Sequence, residues 1–295
     1  MFTSLRQANG VRRNRALLRV EQLETRDCPA APVLSSFSAT VLDGRNVRLT
    51  GMVQTDHPVV VNFSGVASGS TSVQGDGSFL MNTSASALGT ITAVATDYTL
   101  SSNPLSSQIT SATPSVTVTV AQRGGHSVCV SGQVTDDSFT GEVVLLSGIV
   151  TATVQVNADG SYSYTGQASA LGQVSATARD TWGLNSAAVA ATLTNSAPTI
   201  SNFTAINRGN GNWEFSGRVI DEFAPGMVVR ISGIGSSGSS SDDGGPPPSN
   251  DLLVTVGADG WFDVVANVGN IAGSMISANT TDGWGRAANT AYYLA

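Results

Sequence analysis

The chain repeats itself three times, and within each repeat polarity alternates with a period of two. VRLTGMV at 47–53 aligns with VCVSGQV at 128–134 and WEFSGRV at 213–219. GDGSF at 75–79 aligns with ADGSY at 158–162 and ADGWF at 258–262. ITAVATD at 91–97 aligns with VSATARD at 174–180 and ISANTTD at 276–282. A period of two is the period of a strand, since successive side chains of extended backbone point to opposite faces. The first block therefore turns Val47, Leu49 and Val53 inward, with Val128, Val130, Val134 and Trp213, Phe215, Val219 as their equivalents. Arg48, Cys129 and Glu214 take one outward position. The last block turns Ile91, Ala93 and Ala95 inward, and Thr92, Ser175 and Ser277 outward.

Such alternation belongs to antiparallel sheets with one solvated face. About seven short strands in each ~80-residue repeat, with Gly, Asp and Asn turns between them, indicate a β-sandwich of immunoglobulin type. The expected architecture is all-β: three tandem immunoglobulin-like sandwiches after a short basic N-terminal segment. The expected boundaries are 1–30, 31–112, 113–196 and 197–295, with an insertion at 235–250 in repeat three. That insertion, GSSGSSSDDGGPPPSN, carries no apolar residue to anchor it, and its composition predicts a flexible loop. Only 12% of the chain is charged, against ~25% in ordinary soluble domains; outer faces of Ser and Thr account for the deficit.

The repeat pattern resembles the bacterial immunoglobulin-like repeats of secreted and surface proteins. The resemblance rests on Gly51, Gly132 and Gly217, on the pairs Asp76-Gly77, Asp159-Gly160 and Asp259-Gly260, expected to close hairpins between the fourth and fifth strands, and on Asp97, Asp180 and Asp282. It implies the fold and an extracellular or cell-surface location; sandwiches host too many activities to imply one function. Antibody-type domains pair two inward cysteines. Here Ala93, Ala176 and Ala278 stand on the sixth strand and Cys129 faces outward, so no disulfide within a repeat is expected. Cys28 and Cys129 are expected to remain free thiols, because a whole sandwich separates them if the repeats run end to end, and a bridge needs Cα atoms within ~7 Å.

Charge divides the chain unevenly. Residues 1–30 hold six arginines against three acids, whereas the remainder holds eight against 18. An acidic body with net charge −7 argues against a nucleic-acid partner, which needs a basic stripe. No run of 18 apolar residues exists, so no integral membrane helix is expected. The segment LRVEQLETRDCPAAP resembles the N-terminal Leu-Glu-x-Arg sorting motif of planctomycete exported proteins, through Leu23, Glu24, Arg26 and Pro29.

Candidate site residues come from the turns. The loop after the second strand carries Asp56, then Asp136 and Asp137, then Asp221 and Glu222. With Asp76, Asp159, Asp259 and Asp97, Asp180, Asp282 these lie at one end of each sandwich. In repeat two, Asp136, Asp137, Asp159 and Asp180 are the candidates for Ca²⁺, a cation of hard oxygen ligands. The competing account is turn chemistry: Asp before Gly closes turns, and Asp in a loop bonds its own backbone. No other cofactor is expected. Trp182 and Trp284, at one F–G-type turn position with Thr99 as their counterpart, are candidates for contact with a protein or glycan partner; alternatively each ring covers the end of its own core. His57 and His126 have neither a nucleophile elbow nor a triad spacing about them, so catalysis is not expected. The sequence points to a non-catalytic surface protein of structural or adhesive type. The alternative is a carbohydrate- or protein-binding module that uses the acidic, tryptophan-bearing loop end, with or without Ca²⁺.

Overall fold

The computed structural model describes residues 30–97, 99–235 and 250–295. The sorting motif, Cys28 and the 236–249 part of the insertion lie outside the described residues. Among the described residues every regular element is a strand.

Repeat one contains β1 (Val33–Asp43), β2 (Asn46–Gln54), β3 (Val60–Gly65), β4 (Gly69–Ser72), β5 (Ser78–Ser84), β6 (Gly89–Thr96) and β7 (Leu105–Ile109). Its two sheets have the orders β1-β2-β5 and β4-β3-β6-β7, all pairs antiparallel. Repeat two splits its first strand into β8 (Ser115–Val116) and β9 (Thr119–Gly124), then continues with β10 (Ser127–Thr135), β11 (Val143–Gly148), β12 (Ala152–Gln155), β13 (Ser161–Gln167), β14 (Gly172–Arg179) and β15 (Val189–Leu193). Repeat three contains β16 (Thr199–Gly209), β17 (Asn212–Ile220), β18 (Val228–Ser232), β19 (Leu252–Thr255), β20 (Trp261–Asn267), β21 (Met275–Asn279) and β22 (Ala291–Leu294). The sheet orders recur as β13-β10-β8, with β9 also on β10, and β12-β11-β14-β15, then as β16-β17-β20 and β19-β18-β21-β22.

The period-two register holds in all three repeats. Leu49, Val130 and Phe215 are fully buried, as are Ala93, Ala176 and Ala278. Three separate apolar cores result, around Leu49 and Phe63, around Val130 and Tyr162, and around Phe215 and Phe262. Trp213 is core, whereas Trp261 on the opposite face of its sheet is 43% exposed. Thr92, Ser175 and Ser277 are half-buried, because neighbouring strands flank them on the outer face.

The repeated glycine has a packing cause. A Cβ on Gly51, Gly132 or Gly217 would lie 2.2, 2.0 and 2.6 Å from Ser36 O, Thr117 O and the Phe262 ring. At this point the first strand breaks register, and an aromatic ring from the fifth strand lies against the bare Cα. Only glycine lets the two approach so closely.

The fourth strand corrects one expectation. It pairs with the third strand, while the fifth pairs with the second. The Asp-Gly turns therefore do not close hairpins; each is a corner that carries the chain from one sheet to the other. In all three, the glycine has φ near +80° and its carbonyl accepts from the end of the second strand: Val53 N–H to Gly77 O, Val134 N–H to Gly160 O and Val219 N–H to Gly260 O, each 2.8 Å.

Candidate functional site

The three acidic connections do gather at one end of each sandwich, but their members have different roles. Asp159 is a turn residue. Its Oδ1 accepts from Ser161 N–H at 3.0 Å and from Ser161 Oγ at 2.6 Å, which holds the carboxyl below its usual range. Asp76 makes the same pair of bonds to Ser78, and Asp259 accepts from Trp261 N–H. Of the four acids expected to converge in repeat two, Asp159 is thus occupied by its own turn, and it is not among the charges that shift Asp136.

The remaining three meet a fourth acid that does not belong to the turn pattern of the sequence. Glu142 ends the loop between β10 and β11 and is 0% exposed, and neither of its carboxylate oxygens has a hydrogen-bond partner. Burial first, then the charges of Asp136, Asp180 and Asp137, push its carboxyl up to about 7. Asp136 likewise has both oxygens buried without a partner; its pKa is raised by burial and by Asp137 and Asp180, with the Asp137 amide opposing. Asp180 uses Oδ1 to accept from Leu184 N–H at 2.7 Å, and its Oδ2 is buried without a partner. Asp137 faces the preceding linker, where it accepts from Ser111 Oγ and from Ala112 N–H at 3.1 Å. The signal for Glu142 was present in the aligned repeats, because its equivalents are Val59 and Met227, an apolar slot. Among the described residues no three His, Cys, Asp or Glu side chains stand as a ready-made metal site. A cation here would have to draw the carboxylates in.

The two tryptophans each face a neighbouring repeat, and neither covers its own core. Trp182 of repeat two packs on the core of repeat one, and Trp284 of repeat three packs on the core of repeat two. Arg45, in the β1–β2 turn, sets its guanidinium 5.7 Å from the Trp182 ring centroid and donates from Nε to Thr181 O at 3.0 Å. His126, at the equivalent turn of repeat two, stacks on Trp284 with ring centroids 4.2 Å apart. Trp284 Nε1 donates to Gln122 Oε1 at 3.2 Å. Beside it a Cβ on Gly283 would lie 2.2 Å from the Gly125 Cα, so the backbones of two repeats nearly touch. The correction has a simple origin: a sequence aligned repeat on repeat shows which positions correspond, but not that one repeat's turn is the next one's socket.

Cys129 is a free thiol, half-buried, with Sγ 3.5 Å from Ser163 Oγ. Among the described residues no helix is long and apolar enough to cross a membrane.

No protein-family model matches the chain, and no curated protein sequence matches it. Solved structures with a similar trace include the FN1-FN3 domains of chicken CNTN1, at 10% identity over 90% of this chain and 99% of that one, with a TM-score of 0.28. The fibronectin(III)-like modules of Clostridium thermocellum CbhA match at 18% identity over 56% of this chain and 90% of theirs, with a TM-score of 0.25. Invasin, a bacterial integrin-binding protein, matches at 13% identity over 84% of this chain and 57% of its own, with a TM-score of 0.31. Likeness at this level does not extend to function.

Proposed function

We propose that the chain is a non-catalytic extracellular or cell-surface protein of structural or adhesive type, in which three sandwiches form a spacer. The observation that carries this reading is the junction, where at both places the turn tryptophan of one repeat packs on the core of the repeat before it. In repeat two the start of β10 meets repeat three through His126, and the loop after β10 meets repeat one through Ser138, whose Oγ lies 2.8 Å from Asp43 Oδ1 and 3.2 Å from Gly44 N. Contacts at opposite ends of one strand string the repeats in line. Repeated end-to-end joints suit a protein whose task is to span a distance. Small-angle scattering is the test: a rod has a radius of gyration well above the ~19 Å of a compact globule of this length, and a value near that figure refutes the spacer. Fractionation of the native host tests the location.

A recognition role has support at the loop end of repeat one. There Thr55, Asp56, His57, Pro58 and Gln74 line a groove of about 370 Å³. A glycan array probed with the wild type and an Asp56→Ala, His57→Ala double variant separates the two readings; binding lost in the variant favours recognition.

A further inference from the structure

We infer that repeat two binds a hard divalent cation, Ca²⁺, at its junction with repeat one, held by Asp136, Glu142 and Asp180 with Asp137 at the rim. The second junction supplies the comparison. There the corresponding turn aspartate, Asp282, is satisfied by a relay of neutral amides. Trp284 Nε1 donates to Gln122 Oε1, Gln122 Nε2 donates to Asn195 Oδ1 at 2.9 Å, and Asn195 Nδ2 donates to Asp282 Oδ2 at 2.6 Å. At the first junction Val41 stands where Gln122 does, and Ser111 stands where Asn195 does. Ser111 turns its hydroxyl to Asp137 instead, so Asp180 Oδ2 receives nothing.

Glu142 then adds a charge where the other repeats have none. The backbone at this position is the same in all three: Val73 N–H donates to Val59 O, Val156 N–H to Glu142 O and Val256 N–H to Met227 O. Val59 is buried, and Met227 packs against its core. The slot accepts an apolar side chain twice and a carboxylate once. All the charges shifting Glu142 are acidic, and Arg45 at this junction donates from Nε to the Thr181 carbonyl and from Nη1 to the Ser86 carbonyl.

Five carboxylate oxygens are consequently buried without a donor: two on Asp136, two on Glu142 and Oδ2 of Asp180. Buried charge of this kind demands compensation. The fold supplies an amide relay to Asp282 at one junction, where a single oxygen of Asp221 stays buried without a donor, and no relay at the other, where five do. Ca²⁺ takes six to eight oxygen ligands, and five carboxylate oxygens with water or a main-chain carbonyl meet that need. Bound cation would tie the loop after β10 to the β14–β15 turn and, through Asp137, to the linker from repeat one.

The test is calorimetric titration of chelator-treated full-length chain with CaCl2, together with melting curves in chelator and in millimolar Ca²⁺. The expected result is one Ca²⁺ per chain and a raised melting temperature. Glu142→Val places in repeat two the residue that repeat one already uses there; it should fold, bind at least tenfold more weakly and lose the Ca²⁺-dependent shift. Asp180→Asn keeps Oδ1 for Leu184 and removes the charge, and should show the same loss, whereas Asp159→Asn should bind as the wild type does. Absence of both heat and melting shift in the wild type overturns the site. So does Ca²⁺ binding that survives both Glu142→Val and Asp180→Asn.

Discussion

At the scale of single residues, Glu142 sets the strongest expectation. Its carboxyl, shifted from 4.5 up to about 7 by burial and acidic neighbours, keeps its proton in the folded chain long after the unfolded chain has lost it. The folded state then binds more protons between these values, so stability falls as pH rises. In chelator, repeat two should be most stable below pH ~4.5 on this account and should weaken as pH climbs through about 7. Asp76, Asp97 and Asp159 act in the opposite sense, because hydrogen bonds hold their carboxyls below the usual range; their contribution fades as pH falls into the acid region. The difference between wild type and Glu142→Val isolates the first effect. At pH 8 without metal, the valine variant should be the more stable by on the order of 1–2 kcal/mol, the cost of an unsatisfied buried polar group. Chemical denaturation across pH measures it, and a wild-type profile that parallels the valine variant refutes it. Asp159→Ala, by contrast, removes only the turn bonds from the Ser161 N–H and hydroxyl and should cost about 1 kcal/mol with no change in Ca²⁺ response.

At the scale of the element, most of what the strands do was legible in the sequence. Alternation at Val47, Leu49 and Val53, repeated at two further positions in the chain, is enough to assign both the strand and its inner face. Leu49→Asp should therefore unfold repeat one, since an unpaired buried charge costs several kcal/mol, on the order of a domain's whole stability; loss of its protected amides in hydrogen exchange checks this. The sheet to which the fourth strand belongs was not legible. Gly69–Ser72 is short and polar, with no apolar face to distinguish a partner, and its pairing with β3 follows from tertiary geometry alone. Glu142 escaped for a related reason. Searching for acids in turns finds acids that serve turns, whereas the informative acid interrupts an apolar position. The tryptophans were found as equivalents, yet their target lay in a different repeat, and periodicity carries no information about what a turn meets across a junction.

At the scale of the whole molecule, the two junctions differ in how they are held, and this predicts which of them yields more readily. The second is closed by Trp284 stacked on His126, by the amide relay through Gln122 and Asn195, and by near contact of the Gly283 and Gly125 backbones. The first has Trp182 under Arg45 and the Ser138 bridge to the β1–β2 turn, but no relay, and it buries five unpartnered carboxylate oxygens against the one on Asp221 at the second. Without metal the first junction should be the more compliant. Trp284→Ala should uncouple repeats two and three, costing about 1–3 kcal/mol of junction stability, less than the 3–5 kcal/mol of a fully buried aromatic because the ring is only half-buried. Trp182→Ala should have a smaller effect in chelator, where the junction is already strained by its acids, and a larger one in Ca²⁺, where ring and cation act together. Double-labelled chains with one probe in each of two adjacent repeats read this as the width of a distance distribution. Narrowing at the first junction on adding Ca²⁺, with none at the second, is the expected outcome. Equal widths at both junctions in chelator would mean that the amide relay contributes no stiffness, and that the difference in their chemistry has no mechanical consequence.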